Sequence, residues 1–81
     1  MKRSNNQEGD EMRYFFDEIS KLRINDIRGR DFRHDDEAIA HARRLAADLR
    51  SLEPLTAGNK LSICVLSEHG NTIHEEMVFS K

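Results

Sequence analysis

Between residues 35 and 52 apolar side chains recur at three- and four-residue steps: Ile39, Ala42, Leu45, Ala46, Leu49 and Leu52. That spacing lays one continuous stripe along an α-helix. The end signals agree with the stripe. Asp35, Asp36 and Glu37 stand where the free N–H groups of a helix start favour negative charge. Arg43, Arg44 and Arg50 fall in the later half, where positive charge is favoured. Pro54 biases Glu53 out of helical geometry and ends the element.

On either side of the helix the period falls to two. Residues 13–19 (R-Y-F-F-D-E-I) are rich in aromatics and read as a strand. Alternation separates Tyr14 and Phe16 from Arg13, Phe15 and Asp17; the second set carries two charges, so Tyr14 and Phe16 are expected inside. Ser20 and Lys21 make a turn, and residues 21–27 alternate as Leu22 and Ile24 against Lys21, Arg23 and Asn25, a partner strand. Asp26 and Gly29 mark a bend, after which Phe32 returns to the core. Residues 54–59 are loop, with Gly58-Asn59 as its turn signal. Residues 60–67 and 71–79 then form a hairpin. A three-residue loop Glu68-His69-Gly70 would give Gly70 the left-handed position that such loops need. In that register Ser67 faces Asn71, Val65 faces Ile73, Ile63 faces Glu75 and Leu61 faces Met77. Leu61, Ile63, Val65, Ile73, Met77 and Phe79 then share one side. A four-residue loop would put Ile63 opposite Glu76 and split the apolar set, and one slip inverts a strand's faces.

The order strand, strand, helix, strand, strand predicts an α+β fold. It is a two-layer sandwich in which an antiparallel four-stranded sheet is covered on one face by a single helix (ββαββ). The uncovered face would carry Phe15, Cys64, Leu66 and Val78 among Arg13, Ser62, Thr72, His74 and Glu76. That mixture is too polar for a sealed core and too apolar for an ordinary wet surface. It makes Arg13, Phe15, Leu66, His74 and Val78 the expected interaction surface.

Composition sharpens this expectation. With 81 residues, 37% hydrophobic and 35% charged, the chain forms one domain with a small core. A single core of this size rarely supplies more than about 3–5 kcal/mol, so a homodimer or other homo-oligomer is expected. Residues 1–11 hold no apolar residue apart from Met1 and are expected to be a flexible tail ahead of a domain over residues 12–81. One cysteine, Cys64, leaves no internal disulfide framework and suits a reducing compartment. No stretch approaches a membrane span and the start lacks the apolar run of a secretory signal, so the expectation is a cytoplasmic protein with no membrane partner. The net charge of −2 argues against nucleic-acid binding by the whole surface.

Three side-chain groups could carry chemistry. In the register above Cys64 and His74 are cross-strand neighbours with Cβ atoms roughly 5 Å apart, and Ser62 and Glu76 lie one step further along. A thiol beside an imidazole outlines a nucleophile and its base. No oxyanion hole accompanies it, and the expectation is a nonenzymatic protein. His34, Glu37 and His41 could share a helix flank, but zinc wants about four ligands, so no metal is expected. Lys21, Arg23, Arg28, Arg30 and Arg33 outnumber Asp26 and Asp31 in the segment before the helix. Such a cluster could hold nucleic-acid phosphates, with Phe15 or Tyr14 stacking a base. The apolar helix stripe is core, and no cofactor is expected for it.

Met12-Arg13-Tyr14-Phe15-Phe16, Asp26-Ile27-Arg28-Gly29 with Phe32, Asp35-Asp36-Glu37-Ala38 with Ala42, and Gly70 through Met77-Val78-Phe79 follow one another in a distinctive order. In this order the chain resembles a family of small bacterial proteins classed as a domain of unknown function. The resemblance covers nearly everything after residue 11 and implies the ββαββ layout, with no active site to carry over. A fainter likeness is to HicB-type antitoxins, which share the strand–strand–acidic-start–helix rhythm. The expected function is a noncatalytic protein-interaction module, homodimeric and with an unidentified protein partner. The alternative is a nucleic-acid-binding or antitoxin-like regulator that uses the basic 21–33 segment.

Overall fold

The helix forms where the periodicity places it: α1 spans Asp35–Leu52 in the computed structural model, which describes residues 11–52 and 60–79. The tail expected over residues 1–11, Glu11 apart, and the loop expected over residues 54–59 lie outside the described residues. His34 caps the helix start. Its carbonyl accepts the N–H groups of Glu37 and Ala38 at 3.1 and 3.3 Å. Glu37 reaches back, its Oε1 accepting the N–H groups of Arg33 and His34 at 3.0 and 3.3 Å. This is the acidic half of a capping box. Ala38, Ala42 and Ala46 are wholly buried, with Leu45 and Leu49 beside them. Three alanines one turn apart give the helix a shallow ridge that can lie close to a sheet.

Five antiparallel strands form that sheet: β1 (Met12–Ile19), β2 (Arg23–Ile24), β3 (Arg30–Phe32), β4 (Leu61–Leu66) and β5 (Thr72–Phe79). β4 is central, between β1 and β5. The outer edge of β1 is shared end to end by two short strands. β2 pairs at Glu18 and Ile19, and β3 pairs at Met12, Arg13 and Tyr14. The single second strand expected over residues 21–27 is therefore a correction: the structure has two short ones. Two carboxylates explain the break. Asp26 backbone N–H donates to Asp17 Oδ1 at 2.9 Å, and the Phe16 N–H donates to Asp26 Oδ2 at 3.1 Å. A side-chain acceptor thus fills the ladder gap between β2 and β3 and diverts the backbone from strand pairing. Asp26 Oδ1 also accepts the N–H groups of Arg28 and Gly29, both at 3.1 Å, and Gly29 turns the chain at φ 70°.

The core sits between α1 and one sheet face. Tyr14, Phe16, Ile63, Val65 and Val78 join the three alanines, and Phe32, Leu61, Ile73 and Phe79 pack around them. Tyr14 and Phe16 point inward as expected. The β4–β5 loop is also as expected: Ser67 N–H donates to Asn71 O at 2.8 Å, and Gly70 takes φ 87°. Beyond the loop the expected register is overturned. Pairing runs Leu66 with Thr72, then Val65 with His74, Cys64 with Glu75 and Ile63 with Glu76, so Ile73 is an extra residue in β5. A second irregularity, between Leu61 and Ser62, leaves Val78 extra. These are β-bulges, and each shifts the alternation by one. Met77, expected inside, is 41% exposed, and Val78 is buried under the helix. The bulged register carries Ile73, Val78 and Phe79 to the core. It also places Glu76 within 2.8 Å of His74 Nε2 and 3.6 Å of Arg43 Nε on the helix. Arg50 Nη1 donates to the carbonyls of Met77 and Val78 at 3.1 and 3.3 Å, satisfying acceptors at the second bulge. Among the described residues no helix is long and apolar enough to cross a membrane.

Candidate functional site

The sheet face turned away from the helix can be laid out from the pairing. Phe15, Leu66 and Thr72 form one row, Asp17, Cys64 and Glu75 the next, and Ile19, Ser62 and Met77 the third. The middle is polar and closed. Asp17 and Ser62 are each 4% exposed. Arg23 lies against Asp17, with Nη2 and Nε 2.9 and 3.0 Å from Oδ2. This bond raises the guanidinium's pKa above its ordinary value. Ser62 Oγ donates to Glu75 Oε2 at 2.6 Å. Apolar side chains are left only towards the two ends of the face.

The expected interaction surface therefore does not assemble as one patch. Arg13, Phe15 and Leu66 lie on this reverse face, and Arg13 is paired with Asp31 at 2.9 Å. His74 pairs with Val65 and so shares the helix face, while Val78 belongs to the core. The first bulge is the reason for both. It also separates the expected nucleophile from its base. Cys64 neighbours Asp17 and Glu75, with its Sγ 3.6 Å from Thr72 Oγ1, and His74 is on the other side of the sheet.

The helix-flank group is dispersed as well. The Glu37 carboxylate is engaged by backbone N–H groups, and His41 packs edge-on against Phe16 with ring centroids 4.9 Å apart. Among the described residues no three His, Cys, Asp or Glu side chains are grouped to hold a metal ion. The basic segment splits across the sheet. Arg23 is on the reverse face with Asp17, Arg30 pairs with Tyr14 and shares the helix side, and Arg33 lines a cleft beside α1. Lys21 and Arg28 are exposed. One continuous phosphate track over Lys21, Arg23, Arg28, Arg30 and Arg33 does not form.

In place of these groups, the structure displays an apolar segment at the sheet margin. Leu22, Ile24 and Ile27 are 75, 61 and 89% exposed. They lie on β2 and the segments flanking it, ordered by polar bonds from Asp17 and Asp26 rather than by burial of their own side chains. In the sequence, Leu22 and Ile24 read as one face of a strand. The available signal against that reading was Asp26, a residue whose short carboxylate competes for backbone N–H groups.

Residues 13–79 match the family model described as Domain of unknown function (DUF6894). No curated protein matches the chain, and no solved structure does.

Proposed function

The chain belongs to this domain family of unknown function, and from that premise we propose that it is a noncatalytic protein-interaction module that self-associates through the margin formed by Leu22, Ile24 and Ile27. One observation carries the reading. Of the five large hydrophobic residues most exposed among the described ones, three fall within this short segment. Isolated exposed aliphatics are ordinary on a protein surface, but three close together in sequence on a backbone fixed by the buried Asp17 and half-buried Asp26 carboxylates make a binding segment on a rigid scaffold.

A second copy is the partner that fits best. An isologous contact opposes the segment with itself, so the apolar complement is always present. The magnitudes favour a weak dimer. Fully burying an aliphatic side chain gains roughly 1.5–3 kcal/mol. Six partly exposed ones across a two-fold contact are comparable with the association cost of about 4–15 kcal/mol.

Sedimentation over a wide concentration range tests the reading. Reversible dimerisation is expected, and Leu22→Asp with Ile27→Asp should abolish it without unfolding the chain, because neither side chain is packed. A strict monomer at high concentration would sink the proposal. Dimers lost on Phe15→Asp or Leu66→Asp but kept in the loop variant would move the contact to the reverse face.

A further inference from the structure

Between β3 and the first half of α1 lies an open cleft of about 560 Å³, lined by Phe32, Arg33, Glu37, His41 and Arg44 among others. That volume suits a small organic ligand. Acidic groups border it, but two of them are already engaged. The Glu37 carboxylate accepts the N–H groups of Arg33 and His34, and Asp31 is held by Arg13 through both oxygens, at 2.9 and 3.2 Å. Glu11 also lines the cleft and makes no ion pair with the arginines among the described residues. The side chains of Arg33 and Arg44 make neither a hydrogen bond nor an ion pair among the described residues, so both guanidiniums can take an anion bidentately. One wall is aromatic. The Phe32 and His41 rings have centroids 5.5 Å apart and are inclined by 44°. Burial, with Arg30 and Arg44 adding to it, lowers the His41 pKa below its ordinary value, which favours the neutral ring.

We propose that this cleft is a binding site for a small phosphorylated aromatic ligand of nucleoside-monophosphate size, its phosphate held by Arg33 and Arg44 and its flat ring against the Phe32–His41 wall. Three features combine in one place: a nucleotide-sized space, two uncommitted guanidiniums and a ring surface. The basic segment seen in the sequence supplies only Arg33; Arg44 comes from the helix, one turn after Ala40. The inference does not rest on self-association through Leu22, Ile24 and Ile27.

The test is an amide-shift titration of the full chain with adenosine monophosphate, adenosine and inorganic phosphate in separate arms. Saturable shifts at Phe32, Arg33, His41 and Arg44 are expected with the nucleotide and weaker ones with either half, while residues 22–27 stay still. Arg44→Glu should weaken binding about tenfold or more. Arg33→Gln and Arg44→Gln, which remove charge without reversing it, repeat the test if Arg44→Glu fails to fold. The proposal is overturned by the absence of a saturable shift at millimolar nucleotide, by equal response to inorganic phosphate, or by undiminished affinity in folded arginine variants. A short RNA that shifts these amides where the mononucleotide does not would also overturn it.

Discussion

Tyr14 Oη donates a 2.7 Å hydrogen bond to Asp35 Oδ1, joining the first strand to the first residue of the helix. The phenol is 1% exposed, and its pKa is pushed up to about 12 by burial and then by the Asp35 carboxylate that accepts its proton. The neutral form is thus favoured in the folded chain. Its contribution is fully present below the ordinary value of 10.0 and is lost as pH rises from there through about 12. Tyr14→Phe should lower stability at neutral pH by about 1–2 kcal/mol, because Asp35 loses its partner. Urea unfolding at neutral and alkaline pH should show the loss with pH to be smaller in the variant.

Asp26 replaces a piece of β-ladder with a side chain. Asp26→Ala removes the acceptors for the N–H groups of Phe16, Arg28 and Gly29. A loss of about 2–3 kcal/mol is expected, since the Phe16 N–H is partly shielded from water. Hydrogen exchange should accelerate at those three amides while the amides of β4 change only with global stability. Uniform acceleration across the sheet would show that Asp26 does not act locally.

Two glycines with positive φ should respond unequally to alanine. At Gly29 (φ 70°) a Cβ would lie 2.8 Å from the Tyr14 carbonyl oxygen and from two carbons of the Arg13 side chain. At Gly70 (φ 87°) it would meet nothing within 4 Å. The left-handed backbone alone costs an alanine about 1–2 kcal/mol, so Gly70→Ala should fall in that range. Gly29→Ala adds backbone overlap and should lose about 2–4 kcal/mol. Thermal unfolding of the two variants side by side measures the difference.

His41 predicts an acid limb. Burial, followed by Arg30 and Arg44, holds its pKa below the ordinary 6.5, which favours the neutral ring in the fold. The stabilisation is complete above 6.5 and declines as pH falls from there through the folded-state value, because the unfolded chain takes up the proton first. His41→Phe keeps the ring contacts with Phe16 and Phe32 and should flatten that part of the stability profile. An unchanged profile would place the acid limb elsewhere.

The elements dominated by one strong local signal were legible in the sequence. α1 followed from an apolar stripe with matching end charges, the β4–β5 loop followed from Gly70, and the inward pair Tyr14 and Phe16 followed from where the charges alternate. Even there the buried stripe begins one residue earlier than Ile39, at Ala38, whose small side chain is wholly buried. What escaped was decided by contacts between distant residues. Nothing near Ile73 or Val78 announces a bulge; only in the folded register do Arg43, His74 and Glu76 meet and Arg50 reach two strand carbonyls. The cleft beside α1 was hidden for the same reason. Its arginines come from different parts of the chain, Arg33 ahead of the helix and Arg44 within it, and of its acids Asp31 is held by Arg13 on β1. The basic segment looked continuous because sequence proximity conceals that Arg23 and Arg30 lie on opposite sides of one sheet.

β5 has eight residues where β4 has six. The surplus is held as slack at Ile73 and Val78, so the hairpin's inside and outside depend on where that slack sits, not on strand length. Removing Ile73 would let Thr72 run directly into His74, which already sits opposite Val65, so the first bulge would close while Glu75 stays opposite Cys64 and Val78 stays beneath the helix. Shortening β5 by that one residue would thus straighten the strand and cost the core an aliphatic side chain, with every other residue keeping its side.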